Sequence, residues 1–311
     1  MPRSRPLLGA LAAGFLLLGT SACSDGAPGA SGSGKTTVVA AFYPLQFIAE
    51  RAGGDAVTVS NLTKPGAEPH DLELAPNQVA AIGNADVVVY LAGFQPAVDE
   101  AVEQHAKGHA FDVAGVQPLS DAPAGGEEEA EKAGGQAHVN DGKDPHVWLD
   151  PLRLAAIVDQ LATRLATADP DHAADIRGRA AALRAELEAL DKEYAAGLAT
   201  CQRREVVTSH AAFGYLAERY KLRQIPISGL SPEEDPSPQH LAEVTKLAKQ
   251  SGVTTIFFET LVSPKVAEAL ASEVGAKAEV LDPIEGIDGG GDYLSVMRQN
   301  LARLRTALDC A

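Results

Sequence analysis

Eight short apolar runs, four in each half of the chain with helical stretches between them, constrain the fold more than any other feature. In the first half they are residues 36–42 (TTVVAAF), 56–62 (AVTVSNL), 85–93 (ADVVVYLAG) and 109–115 (HAFDVAG). In the second half they are residues 204–210 (REVVTSH), 222–229 (LRQIPISG), 254–260 (TTIFFET) and 278–284 (AEVLDPI). Each is of strand length and most are rich in β-branched residues, while the segments between, such as 75–84 (APNQVAAIGN), carry helical spacing. Strand and helix alternating in this way, twice over, predict an α/β protein of two pseudo-symmetric lobes. Each lobe is expected to be a mostly parallel four-stranded sheet with flanking helices.

The lobes are expected over residues 36–169 and 201–311. Between them, residues 170–200 place Ile176, Ala180, Leu183, Leu187, Leu190 and Tyr194 three or four apart, which predicts a long connector helix. At 1.5 Å per residue it would run about 45 Å. A chain of 311 residues with 45% hydrophobic content can fill both cores.

The N-terminus carries a different kind of information. Arg3 and Arg5 precede a short apolar run from Leu7 to Gly19, too short to span a bilayer comfortably, and small residues follow. Residues 1–22 therefore read as a secretory signal. Thr20-Ser21-Ala22-Cys23 resembles a bacterial lipoprotein box, with Thr20 in place of the usual Leu, so Cys23 is the expected lipidation site. Residues 23–35 would be a flexible tether rich in Gly, Ser and Ala. Gly29–Thr36 (GASGSGKT) matches the P-loop pattern literally, but a P-loop follows a strand and opens a helix. Here a tether precedes it and a strand follows, so nucleotide binding is not expected.

The formal charge is −16, and no domain-sized stretch is basic, which argues against a nucleic-acid surface. Residues 120–144 form an acidic low-complexity insert with few apolar side chains, expected to be disordered. Export puts Cys201 and Cys310 in an oxidising compartment, where a disulfide between them is expected in preference to free thiols.

Four positions suit a metal: His70 in KPGAEPHDLE, His146 in KDPHVWLDP, His210 in VVTSHAAFGY and Glu285 in VLDPIEG. Each follows a strand-like run or sits in a proline-bearing turn, and ligands of open α/β sheets gather at the carboxyl ends of strands. Nothing converges around His105, His109, His172 and His240, which read as structural or solvated. His138, inside the acidic insert, is a candidate for transient metal capture, weighed against a simple solvated loop. Asp144 and Asp150 flank His146, and one of them is expected to accept the second N–H of its imidazole.

Long stretches of the chain, PGAEPHDLE, DPHVWLDP, TSHAAFGYLAERY, GLSPEEDPSPQHLAE, IFFETLVSPKVAEALASEVGA and LDPIEG, resemble in order the motifs of the zinc-binding solute-binding proteins of ABC transporters, the ZnuA and AdcA type. The resemblance runs from about residue 37 to the end. It implies that His70, His146 and His210 bind the metal, with Glu285 as the fourth ligand of one branch. In another branch a glutamate directly precedes the first histidine, and Pro69 occupies that place here, with Glu68 close by. Manganese-binding relatives carry a glutamate at the third histidine and an aspartate near Asp282, so His210 points to zinc. Three imidazoles and one carboxylate also suit Zn²⁺ on chemical grounds.

The expected function is thus an extracytoplasmic zinc receptor, monomeric and anchored as a lipoprotein to the outer face of the cell membrane. It would deliver Zn²⁺ to the permease and ATPase subunits of an ABC importer. A manganese or iron receptor of the same fold is one alternative, a surface adhesin another, and a zinc hydrolase, with Glu285 swung away and water beside three histidines, the least favoured. An enzyme is not expected: Ser209 and His210, as neighbours in an extended segment, point in opposite directions. A zinc hydrolase would also need an open coordination position, which Glu285 would fill.

Overall fold

A computed structural model describes residues 34–121, 142–287 and 290–311. The signal segment, Cys23, most of the tether and His138 lie outside the described residues. Among the described residues no helix is long and apolar enough to cross a membrane.

Lys35–Ala311 form one compact unit built on two four-stranded parallel sheets. The first comprises β1 (Thr36–Ala40), β2 (Val57–Asn61), β3 (Val87–Tyr90) and β4 (Ala110–Asp112), in the order β2-β1-β3-β4. The second repeats it with β5 (Glu205–Thr208), β6 (Arg223–Pro226), β7 (Thr255–Phe258) and β8 (Lys277–Val280), in the order β6-β5-β7-β8. All eight runs anticipated from sequence are strands, shorter than the runs because turn residues take their ends. The inner strand β3 is apolar and buried along nearly its whole length, whereas β2 and β8, at sheet edges, alternate with exposed residues. In each sheet the chain reverses its direction of travel beside the first strand, between β1 and β3 and between β5 and β7. These switch points leave a crevice at the carboxyl ends of the strands.

Helix starts are written plainly in the sequence. Proline stands in the first turn of α1 (Tyr43–Gly53), α2 (Pro76–Asn84), α3 (Pro96–His105) and α4 (Pro151–Ala168), where a missing N–H costs nothing. Asp150 caps α4, accepting from the N–H groups of Leu152 and Arg153. The connector α5 spans Ala173–Gly197, shorter than residues 170–200 because Asp169 and Pro170 turn the chain before it and Leu198 ends it. Its six predicted apolar residues are all buried, and it packs chiefly on α4 and α1. The second lobe adds α6 (Gly214–Tyr220), α7 (Pro238–Gln250), α8 (Lys265–Val274) and α9 (Tyr293–Ala307).

One large core joins the first sheet, α4, α5 and the inward face of the second lobe. A second, smaller core lies on the far side of the second sheet, where Val207, Ile225 and Ile256 meet Val244 and Ala248 of α7 and Leu270 of α8. Cys201 and Cys310 form the expected disulfide, fastening the chain beyond α9 to the chain just after the connector. Ser120, Asp121 and Gly142–Asp144, assigned from sequence to the insert, are ordered at its two edges. The Ser120 N–H donates to Tyr215 Oη, and the Asp144 N–H donates to the Ser120 carbonyl.

Candidate metal centre

Each of the four predicted ligands enters the crevice from a loop with its own restraint. His70 lies in the loop between β2 and α2, where buried Gln95 donates to the Pro69 carbonyl at 3.0 Å and the His70 N–H donates to Glu68 Oε1 at 2.7 Å. His146 immediately precedes a single 3₁₀ turn, Val147–Leu149. His210 follows β5, its carbonyl accepting from Thr208 Oγ1 at 2.7 Å and Gln224 Nε2 at 2.9 Å. Glu285 follows β8. All four are buried.

The Nε2 atoms of His70, His146 and His210 lie 3.4, 3.2 and 3.3 Å from Glu285 Oε1. His146 Nε2 and His210 Nε2 are 3.4 Å apart, and one ligand atom from each residue falls within 4.8 Å of all the others. Zinc bonds of 2.0–2.1 Å in a regular tetrahedron place ligand atoms about 3.3–3.4 Å apart. The four short separations match four edges of such a tetrahedron. Glu285 Oε2 is buried with no hydrogen-bond partner, a cost that a cation at the centre would offset.

The imidazoles are oriented from behind. Asp144 Oδ1 accepts from the backbone N–H of His146 at 2.9 Å and lies 2.7 Å from its Nδ1. Glu259 Oε1, at the end of β7, lies 2.9 Å from His210 Nδ1 and accepts Ser209 Oγ at 2.7 Å. With Nδ1 as donor, the Nε2 lone pair of each ring faces the centre, as a metal requires. Asp144 thus fills the supporting role foreseen from sequence, and Asp150 does not. The Asp150 carboxylate is taken by the start of α4 and by Arg219, whose Nε lies 3.4 Å away. Glu259 and Gln95 escaped sequence reading because their partners are 49 and 26 residues distant.

Burial alone disfavours every charge here, and it lowers the affinity of His70 for a proton. At His146 and His210 burial acts the same way but is outweighed. Asp144 with Glu285 raises the first, and Glu259 with Glu285 raises the second well above the ordinary imidazole value. Burial likewise works against the Glu285 carboxylate, yet the surrounding imidazoles hold it well below the usual range. Glu68, half-buried beside Glu285, is pushed up to about 9, first by desolvation and then by that neighbouring charge.

The histidines read as structural stay away from the centre. His109 Nε2 contacts the Ile82 carbonyl at 3.0 Å, His240 Nε2 the Pro226 carbonyl at 3.1 Å, and His172 pairs with Asp169 at the end of α4. His105 closes α3. Ser209 gives its hydroxyl hydrogen to Glu259, not to His210.

The fold and the converging donors define a two-lobed metal-binding protein. The family model for ZnuA, zinc-uptake complex component A, periplasmic, matches residues 38–307, and the chain belongs to that family. It is 36% identical to the high-affinity zinc uptake system protein ZnuA of Bacillus subtilis, over 96% of each chain. It is also 36% identical to the zinc-binding lipoprotein AdcA of Streptococcus pneumoniae, over 97% of this chain but only 60% of that one. The crystal structure of the Zn(II)-bound ZnuA-like domain of the latter superposes with a TM-score of 0.73 at 35% identity, covering 89% of this chain and 100% of that domain.

Proposed function

We propose that the protein is an extracytoplasmic receptor that binds one Zn²⁺ through His70, His146, His210 and Glu285 and delivers it to an ABC importer. The observation that carries this reading is that three imidazole nitrogens lie 3.2–3.4 Å from one carboxylate oxygen, with all four residues buried and their ligand atoms within 4.8 Å of one another. Names of similar proteins that refer to zinc uptake and zinc binding support the same cargo. The Cys23 lipid anchor, membrane tethering and a monomeric state belong to this proposal, as do the permease and ATPase partners. So does the absence of catalysis: Glu285 fills the fourth position, leaving none open for a reacting water.

Zinc and protons compete for the same nitrogens, so affinity should fall between about pH 7 and pH 5. Trp148, the chain's single tryptophan, has its ring 5.2 Å from that of His146 and reports on the centre. Titrating chelator-stripped Lys35–Ala311 with Zn²⁺ and Mn²⁺ should reveal one tight zinc site, lost in His210→Ala. A preference for Mn²⁺ would reassign the cargo. Binding of neither ion would leave the four residues structural and reopen the adhesin reading.

A further inference from the structure

Directly before Glu285 the backbone does something costly. Ile284 has φ of 61°, a left-handed conformation that a β-branched residue rarely adopts, and its side chain is fully buried. Such a turn persists only where its surroundings over-determine it. Here three hydrogen-bonded restraints hold it. Asp282 Oδ1 accepts from the Ile284 N–H at 2.7 Å, and Trp148 Nε1 donates to the Pro283 carbonyl at 2.7 Å. The third restraint comes from Asn300.

Asn300 is midway along α9 and fully buried, on the face that also carries Met297, Leu301 and Leu304. A carboxamide among such neighbours is expensive unless both its ends are satisfied. Both are: Asn300 Nδ2 donates to the Asp282 carbonyl at 2.7 Å, and Asn300 Oδ1 accepts from the Asp282 N–H at 3.1 Å. The side chain thus pairs with one residue's backbone as a neighbouring strand would, immediately past the end of β8.

We infer that Asn300 is a positioning residue for metal binding: it clamps Asp282 so that the left-handed turn at Ile284 aims the Glu285 carboxylate at the three imidazoles. Trp148 is the second clamp. It comes from the other lobe, two residues after His146, and Tyr293 Oη in turn donates to its carbonyl at 2.5 Å. His146 and Glu285, ligands from opposite lobes, are therefore tied to one another through the Trp148–Pro283 hydrogen bond independently of any ion. This inference rests on the zinc-receptor reading and adds to it the device that sets the fourth ligand.

The test is Zn²⁺ affinity, measured on the full mature chain by competition with a chromogenic chelator. Asn300→Asp keeps the acceptor and the shape but loses the donor, and should weaken zinc binding at least tenfold. In a Glu285→Ala background the same change should alter affinity less than twofold, because the clamp acts only through that carboxylate. In an Ile284→Gly background, where the left-handed turn carries no strain, the loss from Asn300→Asp should shrink to about threefold or less. Trp148→Phe keeps the ring but removes the donor to Pro283, and should weaken binding by itself whether or not Asn300→Asp folds. An equal loss with and without Glu285 would assign Asn300 to fold stability and overturn the inference, as would unchanged affinity in both Asn300→Asp and Trp148→Phe. If the unaltered chain binds no zinc, or binds it equally after His210→Ala, the receptor reading itself fails.

Discussion

The two lobes each back one histidine with a carboxylate, but they find that carboxylate by opposite routes. In the first lobe Asp144 stands two residues from His146 and holds both its backbone N–H and its ring, so both bonds close within one short turn. In the second lobe the support for His210 crosses from β5 to Glu259 beyond the end of β7, and exists only once the sheet has formed. The cores differ in the same sense. The first sheet shares its core with the connector, while the outer face of the second sheet rests on a small separate cluster. A site assembled from both lobes therefore joins one histidine backed within its own turn to another backed across a sheet.

That comparison can be broken in several ways, the largest first. Replacing Cys201 and Cys310 by Ser removes a cross-link spanning 109 positions and should destabilise the protein by about 2–5 kcal/mol, read from thermal or denaturant unfolding. Hydrogen exchange should quicken across β5–β8 before β1–β4; uniform loosening would contradict the asymmetry. Ile256→Ala, in the small outer core, should cost about 2–4 kcal/mol with the same regional bias. Next come the supporting carboxylates. Asp144→Asn and Glu259→Gln should each weaken zinc binding by about 10- to 100-fold, with Glu259→Gln the worse because it also disturbs Ser209.

The smallest effect lies in the first lobe, away from the centre. Burial pushes the Asp99 carboxyl up to about 6, opposed by the Gly93 N–H and reinforced by Asp112, and Asp99 Oδ1 has no partner. A carboxyl whose native pKa is raised favours the folded state when protonated. Its penalty is absent below about pH 4, grows as the pH rises, and is complete above about pH 6. Asp99→Asn should then stabilise by several tenths to about 1 kcal/mol at pH 7, after allowance for solvent screening, and by little at pH 4. An equal gain at both values would remove the charge from the explanation.

The fold was legible because parallel strands buried on both faces announce themselves as apolar runs, and the proline-led helices between them fix their order. His70, His146, His210 and Glu285 were legible through the motifs around them. Asp144 could be read because its bond is local. Glu259, Gln95 and Asn300 could not, since a pairing across strands or between a helix and a strand end leaves no periodicity in the chain. Asp150 shows a different limit. An aspartate directly before a proline that opens a helical stretch is an N-cap signature, and that signal, more than nearness to His146, states its role.

The connector also sets a scale for movement. Its 25 residues make a stiff rod about 37 Å long, seated against the first lobe and leading directly to the second. A tilt of only about 5° swings the far end of such a rod through an arc of about 3 Å. That is comparable to the 3.2–3.4 Å separations of the His70, His146 and His210 nitrogens from Glu285 Oε1. On the proposed receptor reading, a rotation of a few degrees is therefore enough to part the four donors, and release calls for leverage more than for a wide opening.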